Sequence, residues 1–365
     1  MKKKFTVFCL LLVFVSSLAF SSNYKFLFGA LGMHPDYLGG IGPTYVDVGI
    51  GKTDLQFLEN NSTELQAYIG GGLEKRTLWN STSDGTQDAL NDFTVDLFRA
   101  DWKFRLKQGL FSDVLTASLA YDGIFENYNS KSEAFLTTND IYPDMNYDQN
   151  LGTYFTFGLK LDFMNDDMFV QDGFSIDSEV SYAPLLLNQI VGKSDFYSGN
   201  VKFNFAKTLM HTRANDTDRN LISLVLVDRF VVNYTDGSAV PTYFRKSISL
   251  GRKVRGFSNF SYNNKLTFVN NLDLRVSVFE FDEISFARVF PRFNFFVDVG
   301  YGMLEYVNTT VSEDNLIASA GVQATISISD FADLGYQLAY IIAGDNLAKD
   351  ATGVTVGSLT LMLDF

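Results

Sequence analysis

The stretch "NFFVDVGYGM", residues 294–303, alternates apolar and polar or small side chains with a period of two. The large apolar residues occupy every second position: Phe295, Val297, Val299, Tyr301 and Met303. The positions opposite them include Asn294, Asp298, Gly300 and Gly302. Because successive side chains of a strand point to opposite faces of a sheet, the pattern predicts a strand with one apolar and one polar face.

The same alternation recurs along the chain. It is clear over residues 154–163, 200–205, 265–281, 316–328 and 334–342. A secreted β-sandwich also alternates in this way. Here, however, the strands are long, number roughly 14, and carry many glycines and small polar residues on their polar face, as the lumen of a membrane barrel does. We therefore predict an all-β fold, a transmembrane antiparallel β-barrel, which leaves no sheet edge in lipid.

Composition agrees with an exported barrel. Lys2, Lys3 and Lys4 precede an apolar run over residues 5–15, which predicts a signal peptide over residues 1–20 and a single barrel domain over 21–365. Cys9 is the only cysteine, which excludes disulfides and thiolate metal sites from the mature chain. A net charge of −13 argues against nucleic acid as a partner. Aromatic residues make up 15% of the chain. We expect the protein to lie in the bacterial outer membrane.

Connection lengths predict the orientation. Long polar connections fall near residues 80–91, 129–150, 187–195, 235–263, 306–314 and 343–353. Shorter ones fall between them, and outer-membrane barrels have long outer loops and short periplasmic turns. A phase slip at Leu97-Phe98 predicts a β-bulge, and one or two further short strands are predicted within residues 23–60.

The C-terminal strand carries a further signal. Leu359, Leu361, Leu363 and Phe365 share one face, and the chain ends on an aromatic residue. This ending resembles the C-terminal recognition signal of bacterial outer-membrane proteins, so we expect these residues to serve as an insertion signal.

One segment interrupts the alternation, "LGRKVRGFSNFSYNN" at residues 250–264. The longer stretch "VPTYFRKSISLGRKVRGF" (240–257), followed by "NLDLRV" (271–276), resembles the outer-membrane assembly-factor superfamily, the BamA/TamA-like barrels also called bacterial surface antigens. "FVDVG" (296–300) is similar to the Phe-x-Asp-x-Gly motif of that family. Residues 161–184 are a weaker match to its conserved turn. The motif-bearing part covers about residues 150–365.

We predict 14–16 strands, about 14 counted from the alternation and 16 implied by the resemblance, which also implies a long sixth outer loop folded into the lumen. That loop would carry Val254, Arg255, Gly256 and Phe257. The family motif supplies Asp298, Phe296 and Gly300 as lumenal partners of this loop. Strand alternation independently points Asp298 into the lumen. There its carboxylate can pair bidentately with the guanidinium of Arg255.

The sequence also departs from the family pattern. Gly251-Arg252 replaces the usual Gly-Gly, the turn at 170–173 lacks the usual proline, and Asp273 replaces a glutamate. The short stretch before the first strands leaves no room for POTRA domains, so we expect a lone-barrel member of the family.

Three functions remain open at this stage. The first is assistance with insertion or translocation of proteins or lipids, with outer-membrane lipid, client proteins and a separate periplasmic protein as partners. The second is a passive channel whose acidic balance favours cations, and the third is a structural surface barrel. His34 and His211 are the only histidines and match no catalytic pattern, and His211 falls in a predicted short periplasmic turn. We therefore expect no enzyme activity, no metal site and no cofactor.

Overall fold

The computed structural model describes most of the strand regions of the chain. The described residues are 24–32, 45–52, 55, 61–81, 87–131, 148–167, 169–189, 194–214, 219–241, 244, 253–257, 265–281, 288–305, 312–328, 332–344, 354–356 and 360–363. The predicted signal peptide, His34, Leu359 and Phe365 lie outside these residues.

Strands dominate this part of the chain. They are β1 (Tyr24–Gly32), β2 (Tyr45–Lys52), β3 (Thr63–Ser81), β4 (Gln87–Leu110), β5 (Leu115–Lys131), β6 (Gln149–Asp162), β7 (Asn165–Asp166), β8 (Gln171–Ala183), β9 (Asp195–Arg213), β10 (Asn220–Ala239), β11 (Leu266–Val278), β12 (Val289–Glu305), β13 (Ser312–Ile328), β14 (Ala332–Ala343), β15 (Val354–Val356) and β16 (Thr360–Leu363). A 3-10 turn, Leu185–Leu187, follows β8. No helix among the described residues is long and apolar enough to cross a membrane.

The strands pair in chain order and antiparallel. The order runs from β1 to β6 and continues from β8 to β15, while β7 pairs with β8 alone. β15 and β16 both pair with β14, at successive positions along it. Within the described residues no ladder joins β1 to β15 or β16, so the sheet is not closed there. The all-β antiparallel fold and the extra strands predicted within residues 23–60 are confirmed, the latter as β1 and β2.

Exposure follows the alternation of the sequence. On β12, Phe295 and Val297 are 52% and 44% exposed, whereas Phe296 and Asp298 are 3% and 0% exposed. Large apolar residues are exposed in the same alternating way on β6, at Phe155, Phe157 and Leu159, and on β14, at Tyr336, Leu338, Tyr340 and Ile342. The apolar face therefore points outward and the polar face inward, as the sequence predicts for a barrel in lipid.

The predicted bulge is confirmed. The pairing between β4 and β5 shifts register between Asp96 and Leu97. Leu97 is fully buried and Phe98 is exposed, so the shift moves the following apolar residues of β4 to the outer face.

Two sequence-based assignments were wrong. The connection near 80–91 is shorter than predicted, because Asn80 and Ser81 still pair with Asp88 and Gln87. His211 was assigned to a turn, but it lies within β9 and pairs with Ser223 of β10. In both cases, polar residues continue the ladder beyond the apolar stretch that marked the strand.

Candidate functional site

The loop motif at residues 253–257 lies against the inner face of the barrel. Arg255 donates from Nε to Asp298 Oδ2 at 2.8 Å and from Nη2 to Asp298 Oδ1 at 2.6 Å. Its backbone N–H also donates to Asp298 Oδ2, at 2.9 Å. The structure thus brings together the two residues that the sequence analysis paired, and it fixes both the side chain and the backbone of Arg255 on β12.

Three further residues contact Arg255. Asp273 of β11 forms an ion pair with the guanidinium, with 2.7 Å between Oδ1 and Nη1, although the angle is not that of a hydrogen bond. The ring of Phe296 lies beneath the guanidinium, 3.8 Å from its central carbon to the ring centroid. Ser319 of β13 donates to the carbonyl oxygen of Arg255 at 2.6 Å. Three neighbouring strands therefore hold one loop residue.

The charge of Arg255 is secured by these contacts. Burial alone disfavours a charged guanidinium, but the hydrogen bonds that it donates to Asp298 and the charge attraction of Asp273 and Asp298 outweigh burial and raise the pKa of Arg255. Asp298 is fully buried. Removal of the guanidinium would therefore leave a buried carboxylate without its main partner.

The residues around Arg255 shape the turn. Gly256 has a φ of +92°, a conformation that residues with side chains rarely adopt, and the N–H of Phe257 donates back to the Val254 carbonyl at 3.2 Å. Val254 and Phe257 are both buried. Asn271 of β11 donates to the Lys253 carbonyl at 2.9 Å. Gly300 lies on the same inner face of β12 as Asp298 and is buried.

The loop has a second attachment that the sequence analysis did not identify. Phe244 packs against Phe196 of β9, with ring centroids 4.3 Å apart, and against Tyr154 of β6 at 5.5 Å in an edge-on arrangement. Ala183 and Val240 belong to the same buried cluster. The loop is thus held at its start by apolar packing and near its end by charge.

Another segment folds inward at the opposite end of the barrel, where the connections are short. Phe169, between β7 and β8, packs against Phe290 at 4.6 Å between ring centroids. Its carbonyl accepts a hydrogen bond from Ser223 of β10, and Arg288 lies over its ring at 5.0 Å. Phe169 and Phe290 are both buried. Since β8 and β12 are separated by three strands, this segment reaches across part of the lumen.

A cavity of about 900 Å³ lies in the lumen beside the loop motif. Among the described residues, its charged lining comprises six basic side chains, Lys202, Arg229, Lys253, Arg255, Arg275 and Arg292. Only two acidic side chains of the described residues, Glu179 and Asp273, join them there. The acidic balance of the whole chain therefore does not extend to this cavity, which does not fit the expectation of a cation-favouring lumen.

The predicted insertion signal lies only partly within the described residues. Leu361 and Leu363 belong to β16 and pair with Leu334 and Ala332 of β14, whereas Leu359 and Phe365 lie outside the described residues. Asp273 and Ser319 were missed as partners of Arg255. The sequence does place Asp273 and Ser319 on the polar faces of their strands, by the same alternation that places Asp298 inside. That position was the signal by which they could have been found.

Comparison with solved structures identifies the fold. It is similar to that of BamA from Haemophilus ducreyi lacking POTRA domains 1–3, with a TM-score of 0.51 and 13% identity over 86% of this chain and 60% of that chain. It is also similar to CdiB from Escherichia coli, with a TM-score of 0.50 and 12% identity over 86% of this chain and 52% of that chain. The chain thus spans a little over half the length of these structures. No protein-family model and no curated protein matches it. The BamA-like resemblance is confirmed at the level of the fold.

Proposed function

We propose that this chain is an outer-membrane β-barrel that assists the insertion or translocation of proteins or lipids. The observation that carries the proposal is the bidentate ion pair between Arg255 and Asp298, within a fold similar to those of BamA and CdiB. One fold serves many functions, so the barrel alone would not suffice. A loop held inside the lumen by a buried charge pair is an additional feature that a simple pore does not need.

The mechanism would use a weak junction between the first and last strands. On its side away from β13, β14 pairs with only the short segments β15 and β16, and no ladder joins these to β1 within the described residues. A client strand could pair with such an unsatisfied edge, since exposed strand edges add further strands readily. The loop motif would act as an internal brace that keeps β11, β12 and β13 fixed while this junction opens.

The remaining parts of the proposal follow from the sequence. Residues 1–20 would direct export and be removed, and 21–365 would form the barrel. Leu359, Leu361, Leu363 and Phe365 would form the signal for its own insertion. Outer-membrane lipid, client proteins and a separate periplasmic protein would be its partners, and it would have no catalytic role.

A passive channel is the second candidate, because the lumen contains a large polar cavity. The loop motif and the segment at Phe169 both fold into the lumen and reduce the free passage through it. This arrangement favours the insertion or translocation function over an open pore. A structural surface barrel has no specific observation in its favour.

The decisive experiment is depletion in the native host followed by an inventory of outer-membrane and secreted proteins and of outer-membrane lipids. Loss of specific proteins or lipids, restored by the wild-type chain, is the expected result. The variant Lys207→Glu, which changes a charge outside the lumen, should restore them equally, whereas Arg255→Glu should not. An unchanged inventory after depletion would exclude the proposed function. Folding of a second barrel protein in liposomes containing this chain provides the matching assay in vitro.

A further inference from the structure

The basic cavity contains cationic groups that the brace does not use. Arg255 is held by Asp298 and Asp273, and Arg275 contacts Gln171 at 3.2 Å and lies 3.9 Å from Asp273. Within the part of the chain that the structure describes, no carboxylate forms an ion pair with Lys202, Arg229 or Lys253. These three side chains come from β9, β10 and the loop motif, and they line one continuous space.

The acidic residues of the cavity are already paired with arginines. Glu179 pairs with Arg105, at 3.4 Å between Oε1 and Nη2, and Asp273 pairs with Arg255. The lining therefore has an excess of positive charge that its own carboxylates do not neutralise. Such an excess in a partly enclosed space attracts anions, because surrounding walls of low dielectric constant focus the field.

The excess of positive charge changes the pKa of Lys253. Burial and the neighbouring charge of Lys202 lower the pKa of Lys253 to about 8. Like charges held close together in a partly buried site are unfavourable unless an anion lies between them. Asn233, which is buried and lines the same cavity, also has an amide nitrogen with no hydrogen-bond partner among the described residues.

We propose that this cavity is a binding site for a phosphate-bearing ligand, held by Lys202, Arg229 and Lys253. Arginine and lysine together suit phosphate, since the guanidinium offers a planar pair of donors and the ammonium a compact charge. Three cations on three separate elements can contact several oxygens at once. They therefore suit a phosphate group better than they suit a single carboxylate. The cavity volume of about 900 Å³ also falls within the range of small-ligand sites. This inference does not depend on the proposed insertion or translocation function.

The test uses the full barrel folded in nonionic detergent and titrated with sodium tripolyphosphate by calorimetry at low salt. Saturable binding to the wild type is expected. Lys253→Met should weaken it by about tenfold or more, as loss of a charge-assisted hydrogen bond does. Lys253→Arg should retain most of the affinity. Lys207→Met, which removes one charge paired with Asp172 outside the cavity, should change the affinity by less than about twofold.

Heat-modifiable migration must first show that each variant is folded, so that lost binding is not lost structure. Absence of saturable binding to the wild type would overturn the proposal. So would equal affinities of the wild type and Lys253→Met. A hexaglutamate peptide that binds while tripolyphosphate does not would overturn the phosphate assignment.

The source of the phosphate can be separated in the same assay. Short-chain phosphatidylglycerol that displaces tripolyphosphate, when short-chain phosphatidylcholine does not, would assign the site to an anionic lipid headgroup. Binding of tripolyphosphate that neither lipid displaces would assign it to a soluble phosphate compound. Both results support phosphate recognition, and they differ only in where the ligand comes from.

Discussion

Asp273 and Asp298 lie diagonally across two neighbouring strands and share one guanidinium. Asp298 pairs in register with Asn271, and Asp273 pairs with Phe296. Arg255 reaches both carboxylates from above the ring of Phe296. Two inward-facing acidic residues on adjacent strands would repel each other without a nearby cation, so the loop neutralises negative charge on the barrel wall.

The first prediction concerns this charge pair. Arg255→Glu should lower the fraction of heat-modifiable folded barrel, because it places a third carboxylate beside Asp273 and Asp298. Disruption of a buried ion pair costs roughly 3–5 kcal/mol, and water in the lumen would reduce that cost. Adding Asp298→Arg should restore part of the folded fraction, with Asp273 now opposed by an arginine on β12.

The control is Lys207→Glu, which makes the same change in charge outside the lumen, where Lys207 pairs with Asp172 at 2.7 Å. It should have little effect on folding. Strictly additive effects of Arg255→Glu and Asp298→Arg would show that the two residues are not coupled.

The sequence predicted the pair but not its full surroundings. Alternation along β12 fixes the direction of Asp298, and the family resemblance places Arg255 in the lumen. The contacts of Asp273 and Ser319 depend on the register of β11 and β13 against β12. Register is a property of pairing between distant segments, and alternation within one strand does not contain it.

The aromatic anchor was missed for a related reason. Phe244 lies in a stretch without alternation, and its partners Tyr154 and Phe196 are 90 and 48 positions away in the chain. Both partners lie on the lumenal face of their strands. The sequence around each of them gives no indication of an aromatic cluster. Burial of a loop inside a barrel brings together residues whose order in the sequence gives no indication of contact.

A second prediction concerns the turn at Gly256. Gly256→Ala should lower the temperature at which the folded band disappears, because an alanine at a φ of +92° is strained by about 1–3 kcal/mol. Gly199→Ala is the matched control, since a Cβ added there meets no atom within 4 Å. Equal melting temperatures for the two variants would mean that the turn of the loop motif does not contribute to stability.

A third prediction concerns the first attachment of the loop. Phe244→Ala should make the folded barrel more sensitive to trypsin within residues 245–252, which contain Arg245, Lys246 and Arg252. Loss of the ring removes its contacts with Phe196 and Tyr154 and weakens the apolar packing at the start of the loop. Mass spectrometry of the fragments locates the cleavage.

Phe230→Ala is the control for this experiment, because Phe230 is an exposed aromatic residue of β10 outside the cluster. Its cleavage pattern should match that of the wild type. If Phe244→Ala is cut no faster than Phe230→Ala, the aromatic cluster does not hold the loop.

A fourth prediction concerns acid. Burial tends to raise the pKa of Glu280, but hydrogen bonds from Arg288 and the Asn220 N–H outweigh burial and lower that pKa below its ordinary 4.5. A carboxyl with a lowered folded-state pKa stabilises the fold above pH 4.5 and loses this effect as the pH falls through the folded-state value. Glu280→Gln should therefore melt at a lower temperature than the wild type between about pH 5 and 8.

The difference between the two melting temperatures should shrink as the pH falls from 4.5 through the lower folded-state pKa, at which the wild-type carboxyl becomes protonated. Circular dichroism of the barrel in detergent can follow both proteins across this range. A difference that persists unchanged at pH 3 would show that Glu280 acts by packing or by its shape, and not through its charge.

The last prediction concerns passage through the lumen. Phe169→Ala should raise the single-channel conductance in planar bilayers, because Phe169 packs against Phe290 across the short-connection end of the barrel. Phe111→Ala is the control, since Phe111 lies exposed in the turn between β4 and β5 at the same end. The wild type should conduct weakly if the inward segments obstruct the lumen. A wild type that already conducts as well as Phe169→Ala would favour the passive-channel function and weaken the proposal of an insertion or translocation barrel.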